Sequence, residues 1–343
     1  MISFSKEIII IGQGLAGSSL ALTLEEQGIL PRVIDNTHHH AASSVAAGLW
    51  NPVSFRNMKS VWLAADCLKF NSETYPRWEQ KLKARFYHPS KLTRIHSSAE
   101  EINNWDLAQE QNPYLLNHKE ISALENKSMG GGEVADCGWV DVSKFIETTC
   151  QHLLDQNRLI HEKITKDAID KYLSTGATVI LCTGYQSPWP WWPVQPNKGE
   201  VLELSSKNIF DGIMHFSHFV IPIGGHRVKL GSTYQLDPQS IEPTPSGRNE
   251  LEKSFKKNFG NEFEVIQHLA GYRPTTPDRR PVIGKISENQ SLYVVSGMGS
   301  RGVLMAPLMA RMLTLNILFD TKIHPEADVC RYLLRKSSNH TRG

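Results

Sequence analysis

The chain has 343 residues, 40% hydrophobic and 21% charged, with a formal net charge of +2 at pH 7. That length supports two cores or one large doubly wound sheet with an inserted domain, and the composition is ordinary for a soluble globular enzyme. The near-neutral charge gives no electrostatic case for a nucleic-acid or membrane partner, and five scattered cysteines without a CxxC pair indicate neither a disulfide framework nor a zinc knuckle.

The chain opens on four isoleucines, Ile8 to Ile11, the run expected of a strand buried on both faces of a parallel sheet. Gly12-Gln13-Gly14-Leu15-Ala16-Gly17 follows, then an Ala/Leu-rich helix to about Gln27, and Arg32 to Asp35 reads as a second strand. Gly12 allows the tight turn, Gly14 lets a pyrophosphate approach the backbone, and Gly17 lets the helix pack close to the strand. The helix start offers free N–H groups and a favourable dipole to phosphate. Asp35, at the end of the second strand, is placed to bind ribose hydroxyls. An acid there fits the adenosine ribose of NAD or FAD equally, so the motif alone predicts a dinucleotide and does not choose between them.

His38-His39-His40 reads as a solvated loop, because adjacent residues cannot converge on one ion and no acid or cysteine cluster assists; no metal is expected. The small-residue run Ala41 to Gly48 lets backbone approach a large flat ligand. Ser60 to about Ala84 and Ser97 to Asn126 carry helical patterns, and Gly130-Gly131-Gly132 reads as a connector. Asp141 or Ser143 caps a helix reaching about Asn157. Leu159 to Ile164 and Ala177 to Cys182 read as strands, the second delivering the small turn Thr183-Gly184. The loop Pro188-Trp-Pro-Trp-Trp-Pro193 has no assigned chemistry. Glu200–Leu204, Phe219–Ile223 and Val228–Ser232 read as antiparallel strands, with Gly224-Gly225 as a turn, and Asn249–Phe259 as a helix. Ser291–Ser296 is a strand running into a second glycine-rich turn, Gly297 to Gly302, and a last helix to about Phe319. No apolar run approaches the ~20 residues of a membrane span. The first strand starts within the first ten residues, so a cytoplasmic protein without a signal peptide is the expectation.

In this order Gly12-Gln-Gly14-Leu-Ala-Gly17, Asp35, Ser44-Val-Ala-Ala-Gly48, Trp139-Val-Asp141, Thr183-Gly184, Lys198-Gly199-Glu200, Leu230-Gly-Ser-Thr233, Gly271-Tyr-Arg273-Pro274 and Gly299-Ser-Arg301-Gly302 span nearly the whole chain. Together they resemble the D-amino-acid oxidase/glycine oxidase superfamily of FAD-dependent oxidoreductases. The resemblance implies an α/β fold: a discontinuous Rossmann-like FAD-binding domain (1–86, 138–199 and 269–343) and a substrate domain with a mostly antiparallel sheet (87–137 and 200–268). It implies non-covalent FAD rather than NAD, contacted by Gly12, Gly14, Leu15, Ala16, Gly17, Asp35, Asn36, Ser44, Ala46, Ala47, Gly48, Ile164, Thr183, Gly184, Gly297, Gly299, Ser300, Arg301, Gly302, Val303 and Leu304. The last turn would offer backbone N–H groups to the flavin's N1–C2=O edge.

The resemblance also implies that Arg273 grips a substrate carboxylate, for which its planar fork is suited. Arg301 would be a second arginine at the mouth of the site, Tyr234 would line the pocket, and Lys229 matches the lysine that assists oxygen reduction in the sarcosine oxidase branch. Phe219 departs from the pattern: a tyrosine that helps hold the carboxylate stands there in glycine and D-amino-acid oxidases, and Ser217 or His218 is the expected substitute. The implied reaction is oxidation of the C–N bond of an amino acid or secondary amine acid by hydride transfer to flavin N5, with imine hydrolysis. The expected partner is a small carboxylate-bearing substrate, with oxygen as one candidate acceptor. Two alternatives stand beside it. The terminal motif also looks like the flavin domain of the bifunctional enzyme that trims carboxymethylaminomethyl-uridine in tRNA, against which the charge argues; the other alternative is a non-catalytic flavoprotein.

Overall fold

The four isoleucines form a strand at the centre of a six-stranded sheet. The computed structural model describes residues 6–36, 41–119, 130–187, 189, 192–236 and 238–333. Strand Ile8–Ile11 pairs in parallel with Arg32–Asp35 on one side and Thr178–Leu181 on the other. Leu159–His161 extends the parallel sheet at one edge, Leu292–Ser296 at the other, and Val282–Lys285 closes it antiparallel. Successive isoleucines point to opposite faces. Ile8 and Ile10 enter the core under helices Leu15–Glu26, Ala64–Leu82, Val142–Asp155 and Gly302–Phe319, and Ile9 and Ile11 enter a second core with Ile169 of helix Lys166–Ser174. A strand covered on both sides has no use for a polar residue, which is why the sequence is unbroken isoleucine.

The second sheet has nine strands, antiparallel except where Ile213–His215 runs beside Leu92–Ile95. Its two longest strands are Gln195–Ser206 and Phe263–Thr275, which pair along their whole length. On one face Leu202, Val220, Val228 and Leu230 bury against Leu251, Phe255 and Phe259 of helix Pro245–Phe259. The opposite face looks toward the six-stranded half. The mixed α/β architecture is the one the motifs imply.

Several local readings change. Gly131–Val134 is a strand, not a connector: Gly132 lies flat on Trp105, whose ring a Cβ would meet at 2.1 Å. The helix expected over 97–126 is Ala99–Gln109, capped by Ser98, and Leu115–Lys119 is a strand. Helix Lys166–Ser174 was not legible at all. Residues 120–129, His38–His40, Pro188, Pro190 and Trp191 lie outside the described residues. The expectation that no apolar run is long enough to span a membrane fails for Gly299–Phe319, 21 residues of mean hydropathy 1.6. In the fold this stretch is a core helix: Leu304, Met305, Ala306, Met309, Ala310 and Leu313 are buried.

Candidate functional site

The two glycine turns that are remote in sequence meet in space. A Cβ on Gly302 would lie 2.9 Å from Leu15 Cδ2, so the last helix starts against the first. Between them and the nine-stranded sheet lies a cleft of about 1320 Å³. That exceeds the few hundred to one thousand Å³ of a drug-sized site, and is room for a dinucleotide and a substrate together.

The dinucleotide end is built by close backbone approaches. Gly12 sits at φ +102°, where an L side chain is strained and a Cβ would meet the Cys182 carbonyl oxygen at 2.5 Å. Gly17 is closer still: a Cβ would stand 1.8 Å from the Gly12 carbonyl oxygen, so glycine there lets the helix seat on the turn. Asp35 Oδ1 accepts the Gln13 N–H at 2.9 Å, which ties the acid to the turn it is meant to serve. Ser43 Oγ accepts the Leu15 N–H at 3.0 Å and caps the first helix, a role the small-residue run did not announce. Gly12, Gly14, Leu15, Ala16, Asp35, Asn36, Ser44, Ala46, Ala47, Gly48, Ile164, Thr183, Gly184, Gly299, Ser300, Arg301, Gly302, Val303 and Leu304 all line the cleft. Gly17 and Gly297 stand behind it and shape its wall. An elongated ligand with a phosphate, a ribose and a flat ring fits this donor set: bare backbone at the helix start, a carboxylate at the strand end, and a second helix start opposite.

The sheet end carries two half-buried cations. Arg273 donates from Nη1 to Asn197 Oδ1 (3.0 Å) and the Lys198 carbonyl (3.3 Å), and from Nη2 to the Thr233 carbonyl (3.2 Å). Its guanidinium lies on Gly199, where a Cβ would meet Nη2 at 1.9 Å, and the Tyr234 ring stacks 5.0 Å from Cζ. All three acceptors are neutral, and no carboxylate pairs with Arg273 among the described residues. Of five N–H groups, Nε–H and one on Nη2 remain for a ligand. Arg301 donates to the Asn51 carbonyl at 3.2 Å; burial, then the nearby Arg279 charge, lower it to about 10. With no carboxylate paired to either cation among the described residues, the cleft carries net positive charge that an anion would offset, since a desolvated charge is costly until it is paired.

Beneath Arg273 the Lys-Gly-Glu motif is structural. Lys198 and Glu200 pair at 3.1 Å, and His268 Nε2 lies 2.8 Å from Glu200. Burial acts to raise the Glu200 carboxyl, but hydrogen bonds from Thr244 and Lys198 hold it below its ordinary value. Tyr234 lines the cleft. Lys229 does not: it pairs with Glu203 and Ile221 in the sheet, and burial lowers its amine against the opposing pull of Asp141. Ser217 and His218 do not stand in for a hydroxyl at Phe219 either. His218 Nδ1 lies 2.8 Å from Ser254 Oγ and its Nε2 3.0 Å from Glu250, and Ser217 lies 3.0 Å from the same serine, so both turn to the outer helix.

A family model described as FAD dependent oxidoreductase (DAO) matches residues 7–315. The chain is 24% identical over 348 residues to the tRNA 5-methylaminomethyl-2-thiouridine biosynthesis bifunctional protein MnmC of Marinobacter nauticus, covering 89% of this chain and 54% of that protein. It thus spans about half the length of the curated relatives it matches. The glycine oxidase of Geobacillus kaustophilus superposes with a TM-score of 0.76 at 17% identity, over 93% of this chain and 95% of that one. The iminodiacetate oxidase of Chelativorans sp. does so with 0.74 at 15%, over 94% and 98%. At these identities the likeness is one of fold.

Proposed function

Because the chain belongs to the DAO family of FAD-dependent oxidoreductases, we propose that it oxidises the C–N bond of an amino acid or secondary amine acid held by its carboxylate at Arg273. The observation that carries this reading is a half-buried guanidinium, oriented by three neutral oxygens and lacking a carboxylate partner among the described residues, with two N–H groups left to donate. A carboxylate in that fork gains a charge-assisted bidentate pair and relieves the cost of burying the cation. FAD, held without a covalent link, would supply the hydride acceptor for oxidation of the substrate's C–N bond, the resulting imine being hydrolysed by water. Gly12, Gly14, Leu15 and Asp35 would hold its adenosine and phosphates, and Gly299 to Leu304 its ring end. Val201 and Phe219 roof the cleft with apolar surface and exclude water. Arg301 adds positive charge at the mouth, and oxygen is the proposed final acceptor. Lys229 is proposed to assist oxygen through its position in the same sheet.

The division into a cofactor half (1–86, 138–199, 269–343) and a substrate half (87–137, 200–268) is part of this proposal, with Gln195–Ser206 running through the junction at 199/200 and Phe263–Thr275 through that at 268/269. The test is an anaerobic panel of amine and amino acids with the flavin spectrum as readout. A carboxylate-bearing amine should bleach the flavin, and Arg273→Ala should abolish bleaching while FAD stays bound. Full turnover by that variant would refute the assignment. The name of the curated relatives favours one second reading, the same chemistry on a carboxymethylaminomethyl group of a tRNA uridine. Failure to bind such a tRNA even at low salt would remove it.

A further inference from the structure

One cross-strand row runs under the roof of the cleft: Val201, Gly231, Phe219, His215, Arg94. Residues paired across strands share a face, and Val201, Phe219 and His215 all line the cleft. Phe219 has no hydroxyl and its ring lies over Gly231, where a Cβ would meet it at 3.0 Å. The next polar group along the row is the His215 imidazole.

Its proton is placed by its neighbour. Arg94 Nη1 lies 2.9 Å from His215 Nδ1. A guanidinium has donors only, so Nδ1 accepts, and the neutral ring must carry its hydrogen on Nε2. Arg94 is itself pinned: it donates to the Phe216 carbonyl, pairs with Glu101 at 3.6 Å, and lies 5.5 Å from the centroid of Phe55, which packs on the imidazole at 4.4 Å. The Nε2–H has no acceptor among the described residues. The charged and titratable groups facing this ring are Arg94 from strand Leu92–Ile95, Glu101 behind it, and the imidazole of His218 from beyond Phe216. Burial, then Arg94, push the imidazolium down to about 3, against the Phe216 carbonyl, so the ring stays neutral through the working range.

Resting on the amine-acid reading above, we infer that His215 is a specificity-determining residue, its neutral Nε2–H donating to an acceptor atom at the end of the substrate remote from the carboxylate. Gly199, which carries the Arg273 guanidinium, lies two residues along the strand from Val201, and His215 lies three strands across. Sheet spacing sets their backbones on the order of 15 Å apart. A small amino acid cannot touch both ends. The substrate class is a secondary amine acid whose N-substituent ends in a carbonyl oxygen or an unprotonated ring nitrogen.

The holoenzyme distinguishes this with two isosteric probes, N-benzylglycine and N-(pyridin-4-ylmethyl)glycine, in anaerobic flavin bleaching. The wild type should show about a tenfold lower KM for the pyridyl probe, the span of one neutral hydrogen bond. His215→Phe should handle both probes alike. His215→Gln, whose amide can accept from Arg94 and still donate, should restore the preference. Equal KM values in the wild type, or a preference surviving His215→Phe, would overturn the inference while leaving the Arg273 reading standing. Bleaching by neither probe would instead sink the amine-acid reading and this inference with it. Independently of turnover, 15N NMR of histidine-labelled protein should show His215 protonated on Nε2 alone from about pH 6 to 9; an Nδ1 proton, or titration within that range, would overturn the donor.

Discussion

Replacing Gly199 by alanine puts a methyl carbon where the Arg273 guanidinium lies. The new carbon would stand 1.9 Å from Nη2, 2.2 Å from Cζ and 2.3 Å from Nη1, against ordinary contact from 3.4 Å outward, so the group must retreat by about 1.5 Å. The obstacle is the end of a flexible side chain rather than backbone, and the cleft beside it is open. The backbone therefore need not shift, and the guanidinium can move out into the cleft. The move does break the bonds to Asn197, Lys198 and Thr233 that aim the fork. A misplacement of this size in a substrate clamp lowers kcat/KM by roughly a hundredfold, or about 2.7 kcal/mol of transition-state binding. Stopped-flow flavin reduction by N-benzylglycine reads the loss, and the flavin absorbance and a melting curve check that the protein is loaded and folded. An alanine variant with wild-type kcat/KM would show that Arg273 does not act from its seat on Gly199.

Asp35→Ala should weaken FAD by about ten- to a hundredfold, the range of one or two hydrogen bonds to a charged group; equilibrium dialysis of flavin showing unchanged affinity would count against the ribose assignment. Glu25 ties its helix to two others through Lys81 (2.7 Å) and His152 (3.0 Å), and to the start of strand Leu159–His161 through Arg158 (2.9 Å). Burial acts to raise its carboxyl, but these three partners hold it at about 2. A depressed folded-state value means stability that is full above the unfolded value near 4.5 and is lost as pH falls toward 2. Glu25→Gln should therefore cost about 3 kcal/mol at neutral pH and flatten urea stability between pH 4.5 and 2. An acid limb identical to the wild type would disprove it.

What could be read from the sequence is what is local. Four isoleucines specify a strand covered on both faces, because any polar residue there would leave its hydrogen bonds unmet. Gly12, Gly14 and Gly17 specify a turn whose spacing is dictated by backbone contact, and Asp141 caps its helix by accepting from the Lys144 N–H three residues on. The motifs around Arg273 and Arg301 are short and readable as sequence, but what they touch is remote: Arg273 bonds to Asn197, Lys198 and Thr233, and Arg301 to Asn51. Other features were set by distant partners. Gly132 belongs to a strand because Trp105 lies on it, and Leu115–Lys119 is a strand because Gly131–Val134 offers it an edge. Ser217 and His218 were placed by motif, but both turn to the outer helix, and Lys229 shares the face of Gly231 yet sits two residues further along the strand, outside the cleft lining; a sequence does not say where along a strand the cleft ends. His215 carried no local sign. Its tautomer and its place opposite Arg273 come from Arg94, more than a hundred residues earlier, and from strands that pair only when the chain is folded.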